Sequence, residues 1–122
     1  MTFPIQHALL YPDRFEGVEP PIDLTQLLRL DFKPVDEDRY PMFRLARQAQ
    51  EAGGVAPAVF NASNEVAVEA FLNGRIPFLA IPRIVAQALD RTANFEPSDI
   101  AGVLGADSEA RRSSQTDVDT LK

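Results

Sequence analysis

The clearest candidates for a chemical role are two amides and one carboxylate at helical spacing, Asn61, Asn64 and Glu65. At positions i, i+3 and i+4, the three side chains project from one side of a helix. Amide and carboxylate oxygens can bind a hard cation, but such a site usually needs more than one carboxylate, and no second acidic residue joins this side. We therefore favour a structural interpretation, in which the three side chains bind the backbone ends of adjacent helices or an adjoining domain.

The other reactive or charged groups give weaker indications of function. His7 is the only histidine, and no nearby partner would orient it as a catalytic base, so we expect a surface or packing role. Arg111 and Arg112 could contact a phosphate, although solvated charge near a helix end is the simpler interpretation. The acidic run at 36–38 precedes Pro41, where negative charge favours the start of a helix. We assign no catalytic, cofactor-binding or metal-binding residue to this chain.

Composition excludes several classes of protein. A chain of 122 residues with 45% hydrophobic content suits one modest domain. Its net charge of −6 leaves no basic stripe for nucleic acid or an anionic membrane. The absence of cysteine excludes disulfides, thiolate metal sites and cysteine nucleophiles. No apolar run reaches the ~20 residues of a membrane span and no signal peptide is recognisable, so we expect a soluble protein, with the cytoplasm as the best fit.

A long helix must position the three polar side chains. Pro57 presets the first turn of this helix, and Gly74 is the expected left-handed stop. Helical periodicity predicts one buried face, made of Val59, Phe60, Val66, Ala67, Ala70 and Phe71. Because Val68 and Leu72 lie among the polar residues on the other side, we expect Asn61, Asn64 and Glu65 to be half-buried.

Three further amphipathic helices are predicted around this one. The first is opened by Pro41 and closed by the glycines at 53–54, the second starts at Pro82, and the last starts at Pro97 or Ser98. Low helical propensity predicts fraying over the last ~10 residues, past Arg112.

The fold class predicted is mainly α, with an antiparallel bundle of about four helices at residues 39–122. We assign residues 1–38 to a short helix at 4–11 and an extended connector arm. This connector has a helical turn near 23–28 and at most one short strand, at 29–33. An arm of roughly forty residues is uncommon inside a compact domain and more often crosses the surface of a neighbouring one.

Several motifs, in this order, are similar to those of the 1-deoxy-D-xylulose 5-phosphate reductoisomerase family. Residues 1–14, MTFPIQHALLYPDR, resemble the family's M-x-x-P-I-x-(H/Y)-A-L-x-Y-P-x-R. Residues 56–68, APAVFNASNEVAV, resemble its APAVLNAANEVAV signature, with Phe60 and Ser63 as departures. Shorter matches lie at PPIDL (20–24), LDF (30–32), RYP (39–41), EAGG (51–54) and GRIPF (74–78). The resemblance runs from Met1 to about Arg112.

The resemblance implies the C-terminal portion of an NADPH-dependent enzyme of the non-mevalonate isoprenoid pathway, which converts 1-deoxy-D-xylulose 5-phosphate to 2-C-methyl-D-erythritol 4-phosphate. It also implies that NADPH, Mg²⁺ or Mn²⁺, and substrate bind to domains upstream of the matched segment. Met1 alone matches a family position reported near the nicotinamide, and we transfer no role to it. On this view residues 1–38 end the catalytic region and form the connector.

We therefore expect a structural domain that is inactive by itself, a truncated or separated part of the enzyme. Its expected partners are the missing N-terminal NADPH-binding and catalytic domains, and the parent enzyme is expected to be a homodimer. Asn61, Asn64 and Glu65 belong to the family signature, so we expect them to hold helices and connector in register. The alternative is an independent helical protein-interaction module that binds a partner through the arm and these three residues.

Overall fold

The computed structural model describes residues 2–20, 23–26, 29 and 31–121. Within these residues the chain forms five α-helices and one short 3-10 helix, and no strand. The elements are α1 (Thr2–Leu10), α2 (Pro41–Ala52), α3 (Ala56–Leu72), the 3-10 helix (Phe78–Ala80), α4 (Ile81–Arg91) and α5 (Ile100–Thr120). The predicted class, a mainly α fold with four bundle helices after a short first helix, is confirmed.

The chain divides into an N-terminal unit (Met1–Pro34) and a bundle unit (Val35–Lys122). The division falls just before the acidic run at 36–38. Asp36 Oδ1 accepts hydrogen bonds from the backbone N–H groups of Asp38 and Arg39, both at 3.1 Å. This turn leads directly into α2, so the acidic run forms the entrance to the bundle.

Helix α3 is central in the bundle unit, with its most extensive contacts to α5 and α4 and further contacts to α2. Two buried clusters surround it. One cluster comprises Val55, Val59, Ala62, Ala88, Ala106 and Ala110. The other comprises Ala67, Ala70, Ile76, Ala80, Ile81, Ile84 and Val118. The many alanines allow the helices to approach closely.

The buried surface of α3 is wider than the single predicted face. Val59, Ala67 and Ala70 are buried as predicted, but Phe71 is 37% exposed. Ser63, which the prediction left out, is fully buried, and its Oγ donates to the Val59 carbonyl at 2.7 Å. The difference arises because α3 contacts helices on several sides, so one apolar stripe does not describe its burial.

Helix α3 ends where the sequence predicts. Gly74 has φ +69°, and its N–H donates to the Phe71 carbonyl at 2.9 Å, while the Arg75 N–H donates to the Ala70 carbonyl at 2.9 Å. This pair of bonds is a Schellman motif, which needs a residue without Cβ strain at the left-handed position.

The corner between α2 and α3 is tied to the loop between α4 and α5. The Val55 N–H donates to the carbonyl oxygen of Phe95 and to Oδ1 of Asn94, both at 3.1 Å. Asn94 Nδ2 donates to the Ala52 carbonyl at 3.0 Å. Gly54 has φ +53°, and a Cβ there would lie 2.5 Å from the Phe95 carbonyl oxygen. The two segments therefore meet only because residue 54 is glycine.

Helix α5 continues past Arg112, where we expected the chain to fray. Ser114 and Val118 are fully buried, and Val118 belongs to the cluster that contains Ala67 and Ala70. Asp117 pairs with Arg91 at 2.7 Å. These tertiary contacts outweigh the low helical propensity of the segment.

The N-terminal unit consists of α1 and the chain that follows it. No side chain of α1 is buried. The Gln6 amide binds the returning chain, because its Nε2 donates to the Glu16 carbonyl at 2.9 Å and its Oε1 accepts from the Val18 N–H at 3.3 Å.

The predicted connector elements are only partly visible. Residues 29 and 31–33 form no strand, and Leu30 lies outside the described residues. A turn is present at 24–26, and residues 27 and 28, which complete the predicted helical turn, also lie outside the described part. Across the described chain, every helix is too short or too polar to cross a membrane.

We expect Gly54→Ala to lower the free energy of unfolding by about 2 kcal/mol, because the new side chain would be strained at positive φ and would collide with the Phe95 carbonyl. Gly105 is the matched control, since it lies inside α5 with open space at its Cβ position. Gly105→Ala should raise the free energy of unfolding by about 0.5–1 kcal/mol through helix propensity. Urea denaturation followed by circular dichroism measures both, and effects of the same sign would contradict this account.

Candidate functional site

Asn61 and Glu65 belong to a hydrogen-bonded network that joins α3 to α5. Asn61 Nδ2 donates to Glu65 Oε1 at 2.9 Å. Glu65 Oε2 accepts from Arg111 Nη2 at 2.6 Å. Arg111 Nε in turn donates to Asp107 Oδ2 at 2.8 Å. One guanidinium on α5 thus binds a carboxylate on each of the two helices.

The network joins two carboxylates to one guanidinium and lies at the surface. Hydrogen bonds from Arg111 and, to a smaller extent, from Asn61 lower the pKa of the Glu65 carboxyl below its usual value. Hydrogen bonds to Asp107 and, to a smaller extent, to Glu65 raise the pKa of the Arg111 guanidinium. Asn61 and Glu65 are exposed, so the expectation that they are half-buried is wrong. Exposed ion pairs add little stability, and we infer that this network mainly sets the position of α3 along α5.

The direction of the helices follows from the same contacts. Glu65 in α3 pairs with Arg111. Arg75, which lies just beyond the C-terminal end of α3, pairs with Asp119. The later residue of the first segment pairs with the later residue of α5, so α3 and α5 run in the same direction. This is the arrangement of alternate helices in an antiparallel bundle.

Asn64 is separated from the other two signature residues. It is half-buried, and no side-chain hydrogen bond among the described residues involves it. Its side chain lies instead on the wall of an apolar groove of about 230 Å³, together with Tyr40, Val68 and Phe78. The three candidate residues therefore form two sites, a network at α5 and an amide at a groove.

The remaining candidates have ordinary surroundings. His7 is exposed and contacts the Tyr11 ring edge to face, with ring centroids 5.8 Å apart. Arg112 pairs with Glu109 within α5. Arg111 has a role that we did not predict, although its spacing from Asp107 is a recognisable helical pair. The Glu65–Arg111 contact joins residues 46 apart and has no local signal.

The site does not fit a divalent cation. Both carboxylates of the network, Glu65 and Asp107, are bound by the Arg111 guanidinium, whose charge repels a metal ion. Among the described residues, no group of three histidine or acidic side chains is arranged to hold a metal. We assign no metal-dependent catalytic step to these residues. Met1, which matches a family position near the nicotinamide, lies outside the described residues.

Comparison with known proteins identifies the family. The model for the DXP reductoisomerase C-terminal domain matches residues 1–113. The chain belongs to this family. The resemblance inferred from the motifs at 1–14 and 56–68 is thereby confirmed.

Curated relatives are similar over nearly the whole chain. The 1-deoxy-D-xylulose 5-phosphate reductoisomerase of Cupriavidus metallidurans is 48% identical over 121 residues, which cover 99% of this chain and 31% of the relative. The enzyme of Nitrosomonas europaea is 50% identical over 111 residues, which cover 91% of this chain and 27% of the relative. The chain thus spans about three-tenths of the length of these reductoisomerases.

Solved structures show the same fold. The reductoisomerase of Zymomonas mobilis in complex with NADPH superposes with a TM-score of 0.85 and 40% identity, covering 97% of this chain and 31% of that one. A reductoisomerase in complex with NADPH, fosmidomycin and magnesium superposes with a TM-score of 0.84 and 33% identity, covering 98% and 32%. The helices of this DXP reductoisomerase C-terminal domain therefore have the arrangement found in larger enzymes.

We expect Glu65→Gln to lower the urea midpoint at neutral pH, because the charged acceptor for Arg111 is lost. The folded-state pKa of Glu65 lies below its usual value, so its contribution is present above the unfolded-state pKa and disappears as the pH falls through the folded-state pKa. The difference between variant and wild type should therefore shrink as the pH is lowered from neutral through the folded-state pKa of Glu65. Glu69, exposed in the same helix, is the control, and Glu69→Gln should leave the midpoint unchanged. A pH-independent difference at position 65 would refute the assignment.

Proposed function

We propose that this chain serves as the C-terminal structural domain of an NADPH-dependent 1-deoxy-D-xylulose 5-phosphate reductoisomerase. The intact enzyme would convert 1-deoxy-D-xylulose 5-phosphate to 2-C-methyl-D-erythritol 4-phosphate. The observation that carries the proposal is the family match over residues 1–113. The superposition on an NADPH-bound reductoisomerase supports it.

The proposed role is support of the catalytic region. Residues 1–38 would end that region and connect it to the bundle domain at 39–122. NADPH and Mg²⁺ or Mn²⁺ would be held by N-terminal NADPH-binding and catalytic domains of the same enzyme, and the similar reductoisomerase solved with NADPH, fosmidomycin and magnesium supports this part of the proposal. A homodimeric parent enzyme and a cytoplasmic location are part of the same proposal. Asn61 and Glu65 would contribute by fixing α3 against α5 through Arg111.

An independent protein-interaction module is the second candidate. The half-buried Asn64 on an open apolar groove favours it, since such a surface can bind a partner. The two candidates differ in whether this chain can complete a reductoisomerase.

A chimera tests the proposed function. In it, this chain replaces the matched C-terminal segment of the Cupriavidus metallidurans enzyme. We expect the chimera to oxidise NADPH when 1-deoxy-D-xylulose 5-phosphate and Mg²⁺ are present, because the upstream domains supply the chemistry and this chain supplies their support. NADPH absorbance follows the reaction.

Two controls define the outcome. The upstream portion without any C-terminal segment should show little turnover, and this chain by itself should show none above buffer. Turnover by this chain alone would overturn the structural role. A folded chimera that remains inactive would overturn membership of a working reductoisomerase and favour the interaction module.

A further inference from the structure

The groove beside Asn64 is an apolar surface that the bundle unit leaves open. It lies where the start of α2, the outer side of α3 and the 3-10 helix meet. Three large side chains around it are mainly exposed, Tyr40 at 53%, Phe78 at 64% and Leu79 at 75%. Exposed apolar side chains that gather around a concave surface are typical of a contact surface.

Two polar groups on this groove lack partners within the described residues. Asn64 makes no side-chain hydrogen bond there. Arg39 stacks on the Tyr40 ring, with its Cζ 5.6 Å from the ring centroid, and none of the described ion pairs includes it. The groove therefore offers one cation and one amide in addition to its apolar floor.

Two amides elsewhere in this chain show how a carboxamide such as Asn64 can bind a peptide segment. Gln6 binds the Glu16 carbonyl and the Val18 N–H of a returning segment. Asn94 binds the Ala52 carbonyl and the Val55 N–H at the corner before α3. Each amide binds one backbone donor and one backbone acceptor. The peptide groups inside a helix already bind each other, so a non-helical segment is the fitting partner for Asn64.

We propose that this groove docks a non-helical segment of the upstream portion of the same reductoisomerase, which places an apolar side chain on Phe78 and Leu79 and a carboxylate on Arg39. The inference rests on the proposed function. About seven-tenths of the length of the matched relatives has no counterpart in this chain, and that portion supplies the occupant. The unpaired Arg39 makes an acidic segment the complementary one.

Cysteine labelling in the chimera described above tests the docking. The natural chain has no cysteine, so Leu79→Cys introduces a thiol in the groove. Leu104→Cys is the matched control, because Leu104 is also exposed, at 60%, and lies on α5 away from the groove. A maleimide labels each thiol in this chain by itself and in the chimera, and peptide mass spectrometry quantifies the label at each position.

Labelling at position 79 should be slower by about tenfold or more in the chimera than in this chain by itself, because docking covers the thiol. Labelling at position 104 should stay within about twofold. Adding Arg39→Glu or Asn64→Leu to the chimera should restore fast labelling at position 79. Arg112→Glu, a charge reversal at an exposed arginine of α5, should not.

Equal labelling at position 79 in both proteins would overturn the docking surface. Protection that depends on the concentration of this chain by itself would also overturn it, since a second copy would then be the occupant. The activity of the unmodified chimera separates the two proposals. An active chimera without protection at position 79 contradicts only the groove, whereas an inactive and unprotected chimera contradicts the proposed function as well.

Discussion

The rest of the bundle depends on how closely other helices pack around α3. This helix contacts α2, α4 and α5, and residues with small side chains, Ala62, Ser63 and Ala67, are fully buried along it. Because protein interiors are closely packed, larger side chains at these positions would force the helices apart. The polar residues of α3 are therefore confined to narrow strips between its neighbours. Asn61 and Glu65 face α5, while Asn64 reaches the groove near α2.

Carboxamide side chains organise the irregular parts of this protein. Gln6 in the N-terminal unit and Asn94 in the bundle unit each bind a backbone donor and a backbone acceptor. In the bundle, Gly54 permits the close approach that brings Asn94 to the corner before α3. Buried or crowded peptide groups need such partners, and these amides supply them where no helix or strand does. Asn64 has the same chemistry without a partner among the described residues.

These features are compatible with the proposed supporting role of the chain. The single guanidinium of Arg111 binds the carboxylates of both Glu65 and Asp107, so neither of these carboxylates is free to bind a metal ion. The N-terminal unit buries no side chain of α1, although Phe3, Ile5 and Leu9 are apolar. Apolar surface of this kind is usual where a segment packs against protein outside itself. Both observations agree with the proposed place of the chain in a larger reductoisomerase.

Local patterns along the sequence are enough to predict the helices, their boundaries at Pro57 and Gly74, and the family, because capping, periodicity and motifs act over a few residues. The extension of α5 to Thr120 and the contact of Glu65 with Arg111 depend instead on long-range packing. Local propensity predicted fraying past Arg112, but burial of Val118 beside α3 stabilises that segment. The two partners of the ion pair are 46 residues apart. Their meeting depends on how whole helices pack, which local spacing does not encode.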